Sequence, residues 1–238
     1  MKFPIGIQSF ESLRSEGYVY VDKTALVKKL VSEGKCYFLG RPRRFGKSLL
    51  MSTIEAYFKG KKHLFEGLAM MELETEWKEH PVLHLDLNAK PYTKLQDLYD
   101  LLDDQLTYFE RQYDSVATDK SPEGRFRQLI RSAKQKTGRG VVVLVDEYDK
   151  PILQAIGNEA LQDEFRNALK AFYGVLKSAD ADLRFTLLTG VTKFGKVSVF
   201  SDLNNLKDIS TSPHFHNICG ISESELHEFF DEQIGELA

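Results

Sequence analysis

Along this chain, short apolar runs alternate with longer stretches in which apolar residues recur every three or four positions. That is the pattern of strands interleaved with amphipathic helices. The runs 36–39, 82–87, 141–145 and 185–188 are strand-like. Residues 141–145 are consecutive branched apolar side chains, which predicts a central parallel strand covered on both faces. Between the runs, Asp22 is placed to cap a helix carrying Leu26, Val27 and Leu30 that ends near Gly34. A helix is expected over 47–58 after an Arg-rich turn. Thr93 and Gln96 form a capping-box pattern ahead of Leu95, Leu98, Leu102, Leu106 and Phe109. The polar stretch 113–124 reads as a loop. Phe126, Leu129, Ile130 and Ala133 mark a helix stopped by Gly138 and Gly140, and Leu161, Phe165, Leu169, Phe172 and Leu176 mark another. Ser222 and Glu225 predict a capping box for a last helix with Leu226, Phe229, Phe230 and Ile234. Its acids, Glu223, Glu225, Glu228, Asp231, Glu232 and Glu236, face no Lys or Arg within the helix. The alternation predicts an α/β fold: a central parallel sheet with helices on both faces.

Composition narrows the function classes. The 238 residues are 42% hydrophobic and 28% charged, with a formal net charge of −3, as in an ordinary globular protein. A chain of this length buries roughly 70–75% of its unfolded surface, so it needs no staples. Two cysteines, Cys36 and Cys219, make neither a disulfide framework nor a zinc site alone. The opening MKFPIGIQSF lacks the apolar run of a signal peptide, and no window nears 18 uncharged apolar residues. No membrane contact and a cytoplasmic location are expected. The slightly acidic balance gives no global reason for nucleic-acid binding.

Two motifs carry chemistry. Gly46-Lys47-Ser48 lies between a predicted strand and a predicted helix, where backbone N–H groups and the helix dipole favour an anion. Gly46 permits close approach, Lys47 would reach the β- and γ-phosphates, and the Ser48 hydroxyl would ligate Mg²⁺. The usual phosphate-loop pattern wants glycine at position 41, which holds Arg41; Gly40 comes one residue early. Alone, the tripeptide also reads as an ordinary helix start after a Gly turn. The run 141–145 followed by Asp146-Glu147, about 100 residues later, reads as the second half of a P-loop ATPase site, with a strand ending in a charged turn as the alternative. Asp146 would hold the Mg²⁺ shell and Glu147 would polarise the attacking water.

The stretch Phe38-Leu39-Gly40-Arg41-Pro42-Arg43-Arg44-Phe45-Gly46-Lys47-Ser48-Leu49 resembles the predicted AAA-ATPase-like family of bacterial P-loop proteins. The stretches 4–7, 20–24, 145–151, Thr189-Gly190-Val191-Thr192-Lys193-Phe194 and 203–208 are similar to it as well. That family carries arginine at the position of Arg41. The resemblance implies a P-loop NTPase with parallel strand order 5-1-4-3-2, in which 36–39, 82–87, 141–145 and 185–188 are strands 1 to 4. It implies ATP and Mg²⁺ as ligands, Arg41 to Leu49 as the nucleotide-binding loop, and Ser48 and Asp146 as metal ligands. Lys47, Glu147 and Thr189 are the implied catalytic set. Thr189 would be a sensor residue, and Thr192 and Lys193 are weaker candidates. Adenine follows from the resemblance, with 5–10 as a pocket wall. Relatives commonly carry a nuclease-like domain of the PD-(D/E)xK type. No such motif is seen here, and Asp86 reads as a strand-end residue. Residues 1–215 are taken as the ATPase core and 216–238 as the start of a helical lid, expected to be truncated, whose Phe229 and Phe230 need a partner surface.

Arg41, Arg43, Arg44 and Lys47 gather four cations in seven residues. They would neutralise triphosphate, contact a nucleic-acid backbone, or pair an arginine with Asp146, Glu147 or Asp149 in the empty site. His214 and His216 show no metal-ligand spacing, and Tyr148 reads as packing. The expected function is Mg²⁺-dependent ATP hydrolysis at the β–γ bond, driving conformational change in a larger protein. A P-loop kinase and a nucleotide-gated binding module with vestigial hydrolysis are the alternatives. A homo-oligomer supplying an arginine finger and a C-terminal effector domain are the expected partners.

Overall fold

The computed structural model of the chain describes residues 2–191, 199–200, 203 and 205–237. Thr192, Lys193 and Phe194 lie outside the described residues, as do Asn204 and the side chains of Glu232 and Glu236. The sheet is built from β1 (Cys36–Gly40), β2 (Val82–Asp86), β3 (Val141–Asp146), β4 (Leu183–Gly190) and the short β5 (Lys207–Asp208). Every described pairing is parallel, in the order β2-β3-β4-β1-β5. Read from the other edge this is 5-1-4-3-2, and β4 sits between the loop-bearing β1 and β3.

All six residues of β3 are buried, the five apolar ones as expected of a strand covered on both sides and Asp146 at its end. Its side chains divide between two cores. Val141, Val143 and Val145 join Leu102, Phe126, Leu129, Phe165 and Leu169, from α5 (Leu95–Tyr113), α6 (Pro122–Thr137) and α8 (Glu159–Ser178). Val142 and Leu144 join Val27, Leu30, Met51 and Ile54, from α2 (Thr24–Glu33) and α3 (Lys47–Phe58). Burying each such side chain contributes about 1.5–3 kcal/mol, so this strand anchors both layers.

Several boundaries differ from the sequence pattern, each for a local reason. The box before α5 uses Asp97 rather than Gln96: the Asp97 carboxylate accepts from the Thr93 N–H at 2.7 Å, the Thr93 hydroxyl at 2.8 Å and the Lys94 N–H at 3.0 Å. The expected loop 113–124 is shorter, because Ser121 caps α6 through the Gly124 N–H and Pro122 occupies its first position. Asp22 binds the Thr24 N–H at 2.8 Å from just outside α2, and its other oxygen accepts from the Ala69 N–H. The short helices α1 (Phe10–Ser15), α4 (Met70–Leu73) and α7 (Lys150–Gln154) carry too few turns for a periodic signal.

The last helix, α9 (Glu223–Leu237), has the expected box: Glu225 accepts from the Ser222 N–H at 2.8 Å, and Ser222 Oγ accepts from the Glu225 N–H. Glu225 finds across the fold the cation its own helix lacks, the buried Lys23. Phe230 has its ring centroid 5.6 Å from that of Phe3, so the N-terminal segment is a partner surface for it. No helix among the described residues is long and apolar enough to cross a membrane.

Candidate nucleotide site

Three loop ends meet at the carboxyl edge of the central strands. β1 stops at Gly40, whose N–H donates to Ser210 Oγ at 2.7 Å, and the chain turns through 41–46 into α3. The turn needs left-handed backbone at Gly46 (φ +80°) and at Arg44 (φ +66°). Glycine takes the first at little cost, while Arg44 bears strain of order 1–3 kcal/mol. No side chain caps α3, so its first N–H groups are left for an anion.

The charged groups then assemble in pairs. Lys47 is buried, with Nζ 3.1 Å from Glu147 Oε1 and donating to the carbonyls of Arg41 at 3.1 Å and Pro42 at 3.2 Å. Ser48 Oγ donates to Asp146 Oδ2 at 2.6 Å, and Thr189 Oγ1 donates to the other Asp146 oxygen. Thr189 lies on β4, so strand order alone brings it beside the end of β3. Glu147 has φ +56°, and its N–H donates to Thr189 Oγ1 at 3.4 Å.

The cation assigned to the free site differs from one sequence-level reading. Lys47, not an arginine, is the counterion of Glu147 among the described residues. Arg41 instead donates to the carbonyls of Ser210, His216 and Gly40, which ties the loop to 210–216. Arg43, Arg44 and Phe45 are exposed, and Pro42 also faces solvent. Tyr148 is fully buried, 5.5 Å from the Phe38 ring and 4.8 Å from that of Phe200, a packing position. His214 and His216 are exposed. Asp86 ends β2 opposite Asp146.

Beside the loop opens a mostly apolar cavity of about 480 Å³, bounded by Pro4, Ile7, Val21, Phe45, Cys219 and Phe230, with Lys23 in its wall. Of the expected wall 5–10, Ile7 lines it, whereas Phe10 is buried in the core against Tyr20 and Phe65. Burial pushes the Cys219 thiol up, although Arg41, Lys47 and Lys23 act in the opposite sense. Sequence reasoning missed Lys23, Cys219 and the 218–221 segment, which reach the site only through tertiary packing. No His, Cys, Asp or Glu cluster of three or more forms a metal site among the described residues. Mg²⁺ does not require one, since it takes few protein oxygens and completes its shell with water and phosphate. The adjacent oxygens of Ser48 and Asp146 fit that donor chemistry.

The sequence profile described as "Predicted AAA-ATPase" matches residues 4–200. The chain belongs to this family. Membership in the predicted AAA-ATPase family supports ATP binding and hydrolysis at the level of the family, in agreement with the five-stranded parallel sheet. An Azotobacter chroococcum mcd 1 protein, described as an uncharacterized protein in the vnfD 5′ region, is 42% identical over 234 residues. The match covers 98% of this chain but 45% of that relative, so the chain spans less than half its length.

Proposed function

We propose that this family member binds Mg-ATP at the start of α3 and hydrolyses the β–γ bond. The observation that carries the reading is the meeting of two loop ends: an uncapped helix start bearing Lys47 and Ser48, and a strand end bearing Asp146 and Glu147. The N–H groups of α3 and Lys47 would hold the β- and γ-phosphates. Ser48 and Asp146 would hold Mg²⁺, which supplies charge neutralisation on the phosphates when bound. Lys47 would exchange Glu147 for phosphate, freeing that carboxylate to take a proton from water. Water oxygen then bonds to the γ-phosphorus, the bond to the β–γ bridging oxygen breaks, and ADP and phosphate leave. Thr189, donating to Asp146, would help position the water. The base would enter the apolar cavity beside Phe45, which supports adenine through its size and apolar walls. Residues 216–238 would act as a lid over that cavity through Glu225 and Phe230. A further region in longer relatives, or a second copy supplying an arginine, would use the resulting motion.

Asp146→Asn should weaken Mg²⁺-dependent nucleotide binding and hydrolysis together. Glu147→Gln should retain binding and slow single-turnover hydrolysis by about 10²–10⁴-fold, the usual general-base contribution. An unchanged single-turnover rate in Glu147→Gln would remove it as the base. ADP formed without free phosphate, and only when an acceptor is present, would favour the kinase alternative.

A further inference from the structure

Asp149, two residues beyond Glu147, is 1% exposed, among the most buried charged side chains described. A carboxylate so placed must be compensated by hydrogen bonds or charge. Its two oxygens accept from the Val191 N–H, at 3.3 and 3.1 Å. Val191 follows Gly190, the last residue of β4, and Thr189, whose hydroxyl donates to Asp146.

Two further contacts join the same segments. The Tyr148 N–H donates to the Thr189 carbonyl at 2.9 Å. Gly190 passes so close that a Cβ there would lie 2.8 Å from Asp149 Oδ1 and would collide with the Tyr148 ring. Residues 146–149 and 189–191 are thus laced together by backbone bonds, a glycine contact and one buried carboxylate. Glu147 sits inside this lacing with left-handed backbone, a conformation that persists in a non-glycine residue only when its surroundings hold it.

We infer that Asp149 is a positioning residue: it holds the tip of β4 against the turn after β3 and so sets Glu147 and Thr189 at the reacting phosphate. This rests on the hydrolysis reading above. Asp149 is not the base, because its oxygens face the Val191 N–H, whereas Glu147 Oε1 is the oxygen beside Lys47 at the phosphate loop.

The test compares Asp149→Asn and Asp149→Ala with wild type and Glu147→Gln. It reads Mg-ATP affinity, single-turnover hydrolysis and, in the nucleotide-free proteins, amide exchange at Val191. Asparagine keeps an acceptor oxygen of the right reach, so its rate should fall by less than about fivefold, with Val191 still protected. Alanine should expose the Val191 amide to exchange and slow hydrolysis about tenfold to a hundredfold through misplacement, with nucleotide affinity kept. An Asp149→Asn rate as low as that of Glu147→Gln, with Val191 still protected, would show that the charge acts other than by holding the β4 tip and would overturn the inference. So would wild-type hydrolysis and Val191 protection in Asp149→Ala. If the alanine variant does not fold, asparagine decides alone, because the base and strut readings predict opposite results for it. Failure of the hydrolysis reading is separately visible as no phosphate release from Mg-ATP by the wild-type protein, while Val191 exchange still reports whether Asp149 holds the β4 tip.

Discussion

Lys47→Ala tests the site in two states at once. In the free protein Lys47 is 4% exposed, and its ammonium makes one ion pair and two carbonyl hydrogen bonds. Removing one partner of a fully buried pair costs about 3–5 kcal/mol. Here the partner left behind, Glu147, has a side chain 14% exposed and can turn to water, which lowers the expected cost to about 2–3 kcal/mol. For a chain of this size each kcal/mol moves the Tm by roughly 2–4 °C, so the free variant should melt about 4–12 °C lower. The second state uses the same side chain differently. At 100 times its Kd, a ligand that binds only the folded protein stabilises it by about 2.7 kcal/mol, so Mg-ATP should raise the wild-type Tm by about 5–11 °C. The variant should show little of that rise. Differential scanning calorimetry with and without Mg-ATP measures both effects. A free variant melting with wild type would refute the buried pair, and equal nucleotide shifts in the two proteins would refute Lys47 as a phosphate ligand.

Burial alone would raise the Glu74 and Glu55 carboxyls, but hydrogen bonds win: Lys28 and Tyr57 hold Glu74 down to about 2, and His84 and Lys59 hold Glu55 to about 2. Both folded-state values lie below the unfolded value, so their stabilisation is complete above about pH 4.5 and is lost as pH falls toward 2. Acid unfolding followed by circular dichroism should be shallower in that window in Glu74→Gln, and an unchanged slope would remove Glu74 from the account. Cys219 lines the cavity assigned to the base, so in a Cys36→Ser background Mg-ATP should slow its already slow alkylation by iodoacetamide. An alkylation rate indifferent to nucleotide would place the base elsewhere.

The fold was legible where one residue type had one physical role. The run 141–145 is buried on both faces of the parallel sheet, and Gly46-Lys47-Ser48 stands at the expected strand-to-helix junction. Legibility failed where the decisive partner is remote. β5 is Lys207–Asp208, polar and two residues long, and only its pairing with Tyr37 and Phe38 makes it a strand. Lys23 meets Glu225 across 202 positions, and Asp149 meets Val191 across 42. Neither pairing has a local signature, because each depends on strand order and on which helix closes the cavity. The Arg-rich loop shows the same limit from the other side. Charge count invited an arginine to neutralise the free site, yet Lys47 is the cation that α3 starts with, and its first-turn position aims it back along the loop at Glu147. Arg41 meanwhile leaves β1 beside the 210–216 segment, whose carbonyls take its guanidinium. Which cation meets Glu147 follows from helix direction, and which serves the scaffold follows from strand order.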